Sequence, residues 1–290
     1  MPGNVARVEL ERGRRLEAIR VRGVRGGVIA PHRSMVGLPW TVRRLFTTLI
    51  LTAGGLLLLL ASLPWVGRLW QFCFEQGRAL LGIRAPLGEQ TWFLPGGPEF
   101  TLPVLAMTTP LPESRTLAVA AVITALGLAL SFLLPARWTP LGYFLRLLVA
   151  VQASAIGFFA FSPEPFPYRL QDHVFLLLSA GLVVMGLVPL ILGLTLHVFD
   201  LAFWKKLFLS VAIMGHLAVF VPLQALIHIW LVLHGSAVLM PVLFLVFGLL
   251  LDVLVFVSFY GWALSWKGEL ERRETPPPAH LGRTARGRRG

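Results

Sequence analysis

A chain of 290 residues that is 56% hydrophobic and only 14% charged departs from soluble domains, in which about a quarter of residues are charged, and excludes a soluble globular reading. Its 26 Lys and Arg against 14 Asp and Glu crowd towards the two ends. Between 46 and 265 several apolar runs exceed the ~18 residues that indicate a membrane span, so the fold expected is an all-α polytopic membrane protein. The net charge of +12 flanks apolar spans, where insertion topology and anionic headgroups explain it, and nucleic acid is not expected as a partner. A single cysteine, Cys73, excludes an intrachain disulfide and the paired-cysteine patterns of zinc, iron-sulfur and c-type haem sites.

Residues 1–44 form a basic N-terminal segment. Within it "VARVEL" and "EAIRVR" alternate as a short hairpin would, while the stretch from Met35 would itself make a conventional start. Six helices are expected at about 45–66, 116–135, 141–161, 173–198, 207–233 and 237–265, each long enough to cross ~30 Å of hydrocarbon. The first reads as an uncleaved anchor, because its apolar run is longer than a signal-peptide core and lacks a clear cleavage site. The loop 67–115 has two halves. "RLWQFCFEQGRALLGI" has helical spacing suited to an interfacial helix, and "TWFLPGGPEFTLPVLAM" places two apolar runs around a turn, as in a β-hairpin. A second loop, "SPEPFPYRLQDH", is stiff and aromatic, and the proline- and arginine-rich tail 267–290 cannot bury a core.

Charge orients the spans. With the N-terminus inside, the inner segments carry ten arginines before 46, Arg137, Lys205, Lys206 and seven basic residues from Lys267 onward; the outer segments carry only Arg68, Arg78, Arg84, Arg115 and Arg169. That bias of twenty to five places both termini in the cytoplasm of a cell with the protein in its inner membrane.

Polar residues inside spans are costly and therefore candidates for function. At 1.5 Å per residue His216 lies about 13 Å, Gln152 about 16 Å and Asp252 about 20 Å from the inner ends of their helices, so the three are expected to meet inside the bundle. His216, Gln224 and His228 repeat at multiples of four and form a polar stripe on the fifth helix. Gly248, one turn before Asp252, leaves room beside the carboxylate. A histidine and a carboxylate at one depth can relay a proton or hold a cation; the structural alternative is that Asp252 only fixes packing. A second cluster, Asp172, His173, His228 and His234, is expected at the outer face, where headgroup hydrogen bonding is the more economical reading and no metal motif is present. Paired-histidine haem ligation fails on depth for His197 with His216 and leaves only interface pairs such as His173 with His234. No cofactor is expected. Cys73, Arg169 and an outer histidine have the residue types of a membrane thiol enzyme, but a cysteine between Phe72 and Phe74 reads more simply as an apolar residue.

Two faces suit assembly: Ala121, Ala125 and Ala129 at four-residue spacing, and Gly186 with Gly193. Pro189, Pro222 and Pro241 are expected to bend their helices. With no phosphate loop, paired carboxylates or defensible nucleophile, the function expected first is that of a non-catalytic subunit of an envelope complex, with lipids and other membrane subunits as partners. The alternative is a small transporter or proton-coupled carrier using His216, Asp252 and Gln152. Cysteine-accessibility labelling in a Cys73→Ser background tests the orientation: residues 67–115 and the turn at 234–236 should label from outside and the C-terminal tail from inside, and an outside-labelled tail reverses the topology.

Overall fold

A computed structural model describes residues 42–93, 99–162, 166, 168–196 and 201–266. The alternating segments before residue 23, the start at Met35, His197 and the tail 267–290 lie outside the described residues. The chain is mostly helical, with six helices long and apolar enough to cross a membrane, which supports a polytopic membrane protein. They are α1 (Val42–Leu80), α2 (Ser114–Leu133), α3 (Thr139–Phe161), α4 (Leu170–Leu196), α5 (Phe203–His234) and a composite sixth span. The sixth comprises a 3-10 turn (Ala237–Leu239), α6 (Met240–Phe244), a π-helical turn (Leu245–Leu250) and α7 (Leu251–Leu264).

The first helix differs from its expected end at 66. It runs on through Pro64 to Leu80, about 58 Å at 1.5 Å per residue. Residues 68–80 are therefore the last third of this helix and not a separate interfacial one. The reason is packing: Val66, Trp70 and Phe74 repeat every four residues and are buried, whereas Arg68, Gln71, Glu75 and Gln76 stay exposed, so tertiary contacts carry an amphipathic helix past its proline. Termination is local. Gly82 takes φ +68°, and the amides of Gly82 and Ile83 donate back to the carbonyls of Ala79 and Arg78, a Schellman cap that favours glycine at this position.

Strands β1 (Leu87–Phe93) and β2 (Glu99–Leu105) pair antiparallel, from Leu87 opposite Leu105 to Phe93 opposite Glu99. β2 packs on α1 and α4 and buries Phe100, Leu102, Val104 and Leu105, with the Phe100 ring lying over Gly67. Pro103 is tolerated because a two-stranded ribbon is all edge.

Helices α1, α4 and α5 form the centre. Glycines set their approach: a Cβ at Gly55 would strike Pro189, one at Gly193 would strike Thr52, and one at Gly181 would strike Val221. The α4 glycine face thus serves packing on α1. Lys206 donates from Nζ to the Leu196 carbonyl, 2.7 Å away, closing the end of α4 with a cation where the helix dipole favours one. Arg146, within α3, is accommodated by a 3.4 Å bond to Ser131 and by the rings of Phe132 and Tyr143.

One tie spans the centre. Pro222 has no N–H, so the Ala218 carbonyl four residues earlier in α5 lacks its helical donor; the Trp70 indole N–H supplies one at 2.7 Å. Replacing Trp70→Phe should lower stability by about 1–3 kcal/mol through the orphaned carbonyl, and Gly181→Leu should cost about 1–3 kcal/mol by overpacking against Val221. Gly261→Ala, at a position with open space around it, is the control. Thermal unfolding in mild detergent reads all three, and an unchanged midpoint for Trp70→Phe contradicts the assigned tie.

Candidate functional site

Four of the buried polar residues, His173, Gln224, His228 and Asp252, lie on α4, α5 and the sixth span. On α5, Gln224 and His228 are one turn apart and both are buried, because the apolar positions beside them on the helix, Val221, Ala225 and Ile229, face the core. His173, in the first turn of α4 and buried, places Nε2 3.3 Å from Nδ1 of His228, with ring centroids 5.5 Å apart.

The sixth span presents its π-helical turn to α5. A π turn widens the helix and changes the partners of its carbonyls, and such turns recur at functional sites. Here Gln224 Nε2 donates to the carbonyls of Phe247 and Gly248. Gly248 permits the approach: a Cβ there would press on Leu177 and the Leu243 carbonyl and would stand 3.9 Å from His228 Cε1. The glycine therefore makes room for the Leu177 side chain of α4 rather than for the carboxylate. One turn further on is Asp252, fully buried, with no hydrogen-bond partner for either oxygen among the described residues. Gln224 Oε1 and His228 Nε2 are also buried and unpartnered. Buried polar atoms for which the described residues supply no partner are costly in an apolar bundle.

The expected trio does not form one cluster. Asp252 is enclosed, but His216 lies on the exposed side of α5, stacked 5.4 Å from Phe220 and 5.4 Å from Phe259. Gln152, on α3, donates to the Val238 carbonyl at 3.2 Å and lines a separate apolar cavity of about 390 Å³ between α2, α3 and the turn before α6. Depth along each helix was matched, but depth does not specify the face. Similarly, the Asp172, His173, His228 and His234 cluster separates: Asp172 accepts from the Arg169 amide at 3.0 Å, and His234 is exposed beside Trp230, its Nδ1 2.8 Å from that residue's carbonyl oxygen. Only His173 and His228 meet. No group of three or more His, Cys, Asp or Glu able to hold a metal occurs among the described residues. Cys73 is half-buried on α1, and no hydrogen bond among the described residues joins it to Arg169 or a histidine.

The π turn and the pairing of His173 with His228 were not legible beforehand. The signal for the second existed, since both residues belonged to the outer cluster and His173 opens the helix that packs on α5. Beside His173 a cavity of about 590 Å³ lies between α3, α4 and α6, lined by Phe158, Phe159, Phe166, Tyr168, Met240 and Phe244 among others. No family model, curated protein or solved structure matches the chain.

The geometry separates the two polar anchors. Gln224→Leu removes the donor to two carbonyls of the π turn and should cost about 1–3 kcal/mol, whereas Asp252→Asn replaces a buried titratable group, for which the described residues supply no partner, by a neutral one of the same shape and should leave thermal stability close to unchanged. Melting of both variants in detergent checks this; a destabilised Asp252→Asn would mean that the carboxylate is a structural anchor.

Proposed function

We propose that the chain is a multi-pass carrier of the cytoplasmic membrane, with both termini inside, in which a buried route through His173, His228, Gln224 and Asp252 moves protons. The observation that carries this reading is Asp252: a fully buried carboxyl with both oxygens unpartnered, one turn from the glycine against which Gln224 and His228 converge. A structural aspartate is normally held by donors, because an unpaired buried charge costs several kcal/mol. One without donors is suited to exchanging a proton. Imidazoles suit the remaining steps because each ring carries a donor and an acceptor nitrogen, and a bonded pair passes a proton by exchanging tautomers. The site differs from the one expected in that His216 and Gln152 have no part in it.

Reconstituted liposomes containing a pH-sensitive dye test the reading. Under an imposed potassium diffusion potential the wild-type chain should acidify or alkalinise the lumen at a rate that Asp252→Asn lowers by about tenfold or more, while His216→Phe leaves it unchanged. Equal rates for wild type and Asp252→Asn remove the proton route.

A second reading, a non-catalytic subunit of an envelope complex, is favoured by a different observation. Ala121, Ala125 and Ala129 are exposed on α2, since α2 packs on α3 through its other side, where Gly127 approaches Val149 and Ser131 meets Arg146. A small-residue face left outside its own bundle suits another helix. Purification in mild detergent should then yield a stoichiometric membrane partner that Ala125→Leu releases; a partner-free wild-type chain removes this reading.

A further inference from the structure

Next to the proposed proton route lies the aromatic cavity between α3, α4 and α6, for which that route has no use. Among the described residues its walls carry no charged side chain. Phe159 and Phe166 lie 4.9 Å apart between centroids, Phe158 is 5.4 Å from Phe159, and Tyr168 is 6.2 Å from Phe166, so the occupant is uncharged and offers a flat or apolar surface. Leu176 and Phe158 in the same wall are exposed on the outside of the bundle, so entry is lateral, from the side that lipid would cover. The volume, about 590 Å³, accommodates a ring system with the start of an alkyl tail.

At the inner wall is His173, 5% exposed. Its Nε2 is engaged with His228, leaving Nδ1 for the cavity. The tautomer of the pair sets the character of that nitrogen: with His228 donating from Nδ1 to His173 Nε2, His173 presents Nδ1–H to the cavity, and with His173 donating from Nε2 to His228 Nδ1 the same nitrogen is an acceptor. A polar contact that can be donor or acceptor, set among stacked rings and open to the bilayer, matches a ligand whose ring oxygen is a carbonyl in one form and a hydroxyl in the other.

We propose that this cavity is a binding site for a lipid-soluble ring ketone of the quinone class, its oxygen hydrogen-bonded to His173 and its ring held by Phe159, Phe166 and Phe244. The proposal concerns binding and does not depend on proton movement through Asp252.

The test uses the full-length chain in mild detergent, a photoreactive azidoquinone and peptide mapping. Label should enter the peptides containing 154–176 and 240–244, and excess decylubiquinone should suppress it while decylbenzene, which has the tail without the carbonyls, should not. Ala155→Trp, which fills the cavity, should abolish labelling. His173→Leu should weaken it about tenfold, the loss of one buried hydrogen bond. Asp252→Asn should label like wild type, which keeps failure of the proton route distinct from failure of this site. Label placed elsewhere, equal suppression by decylbenzene, or full labelling of a folded Ala155→Trp would each overturn the proposal. The competition arm uses the wild-type chain alone and is independent of whether either cavity variant folds.

Discussion

Backbone carbonyls that accept from side chains of other helices are the constraint on which this bundle depends. In an apolar bundle no water is at hand to satisfy a carbonyl that lacks its helical donor, so it must be met by a side chain from another helix. Pro222 creates one at Ala218, and Trp70 meets it from α1. The π turn changes the partners of its carbonyls, and Gln224 reaches two of them, Phe247 and Gly248, from α5, the second of which also accepts from the Leu251 amide. These contacts fix which faces of α1, α5 and the sixth span look at one another. The glycines at 55, 181 and 193 then let α1, α4 and α5 close to the distance the contacts need.

The site follows from the same requirement. Once Gln224 is committed to the π turn, its neighbour one turn along α5, His228, is carried into the interior, where His173 meets it. Gly248 admits the α4 side chain Leu177. Asp252, one turn beyond, is then enclosed without a donor. Donors are supplied to the backbone and withheld from the carboxyl, and that contrast separates a structural polar group from one suited to chemistry.

Composition and hydropathy made the six helices legible, because spans of this length have no alternative in lipid. Their ends were less so. The first apolar run breaks off at Gly67 and Arg68, yet burial of Trp70 and Phe74 carries the helix to Leu80. Among the site residues, Gln224, His228, His173 and Asp252 were all singled out by their polarity, but their grouping was not. His216 shares the four-residue repeat of Gln224 and His228, and a helix of 3.6 residues per turn rotates such a stripe by about 40° per step. Two steps from Gln224 bring His216 to the exposed side. Pairing across helices also depends on the π turn, which no pattern in "LVFGLL" announces.

Infrared difference spectroscopy of the reconstituted chain tests the central claim most directly, because a carboxylic acid carbonyl that gains and loses a proton has its own absorption band. A band that changes between acidic and alkaline buffer and disappears in Asp252→Asn, while persisting in His216→Phe, is the expected result. A spectrum that Asp252→Asn leaves unaltered would mean that this carboxyl does not exchange a proton, and the buried route would be contradicted.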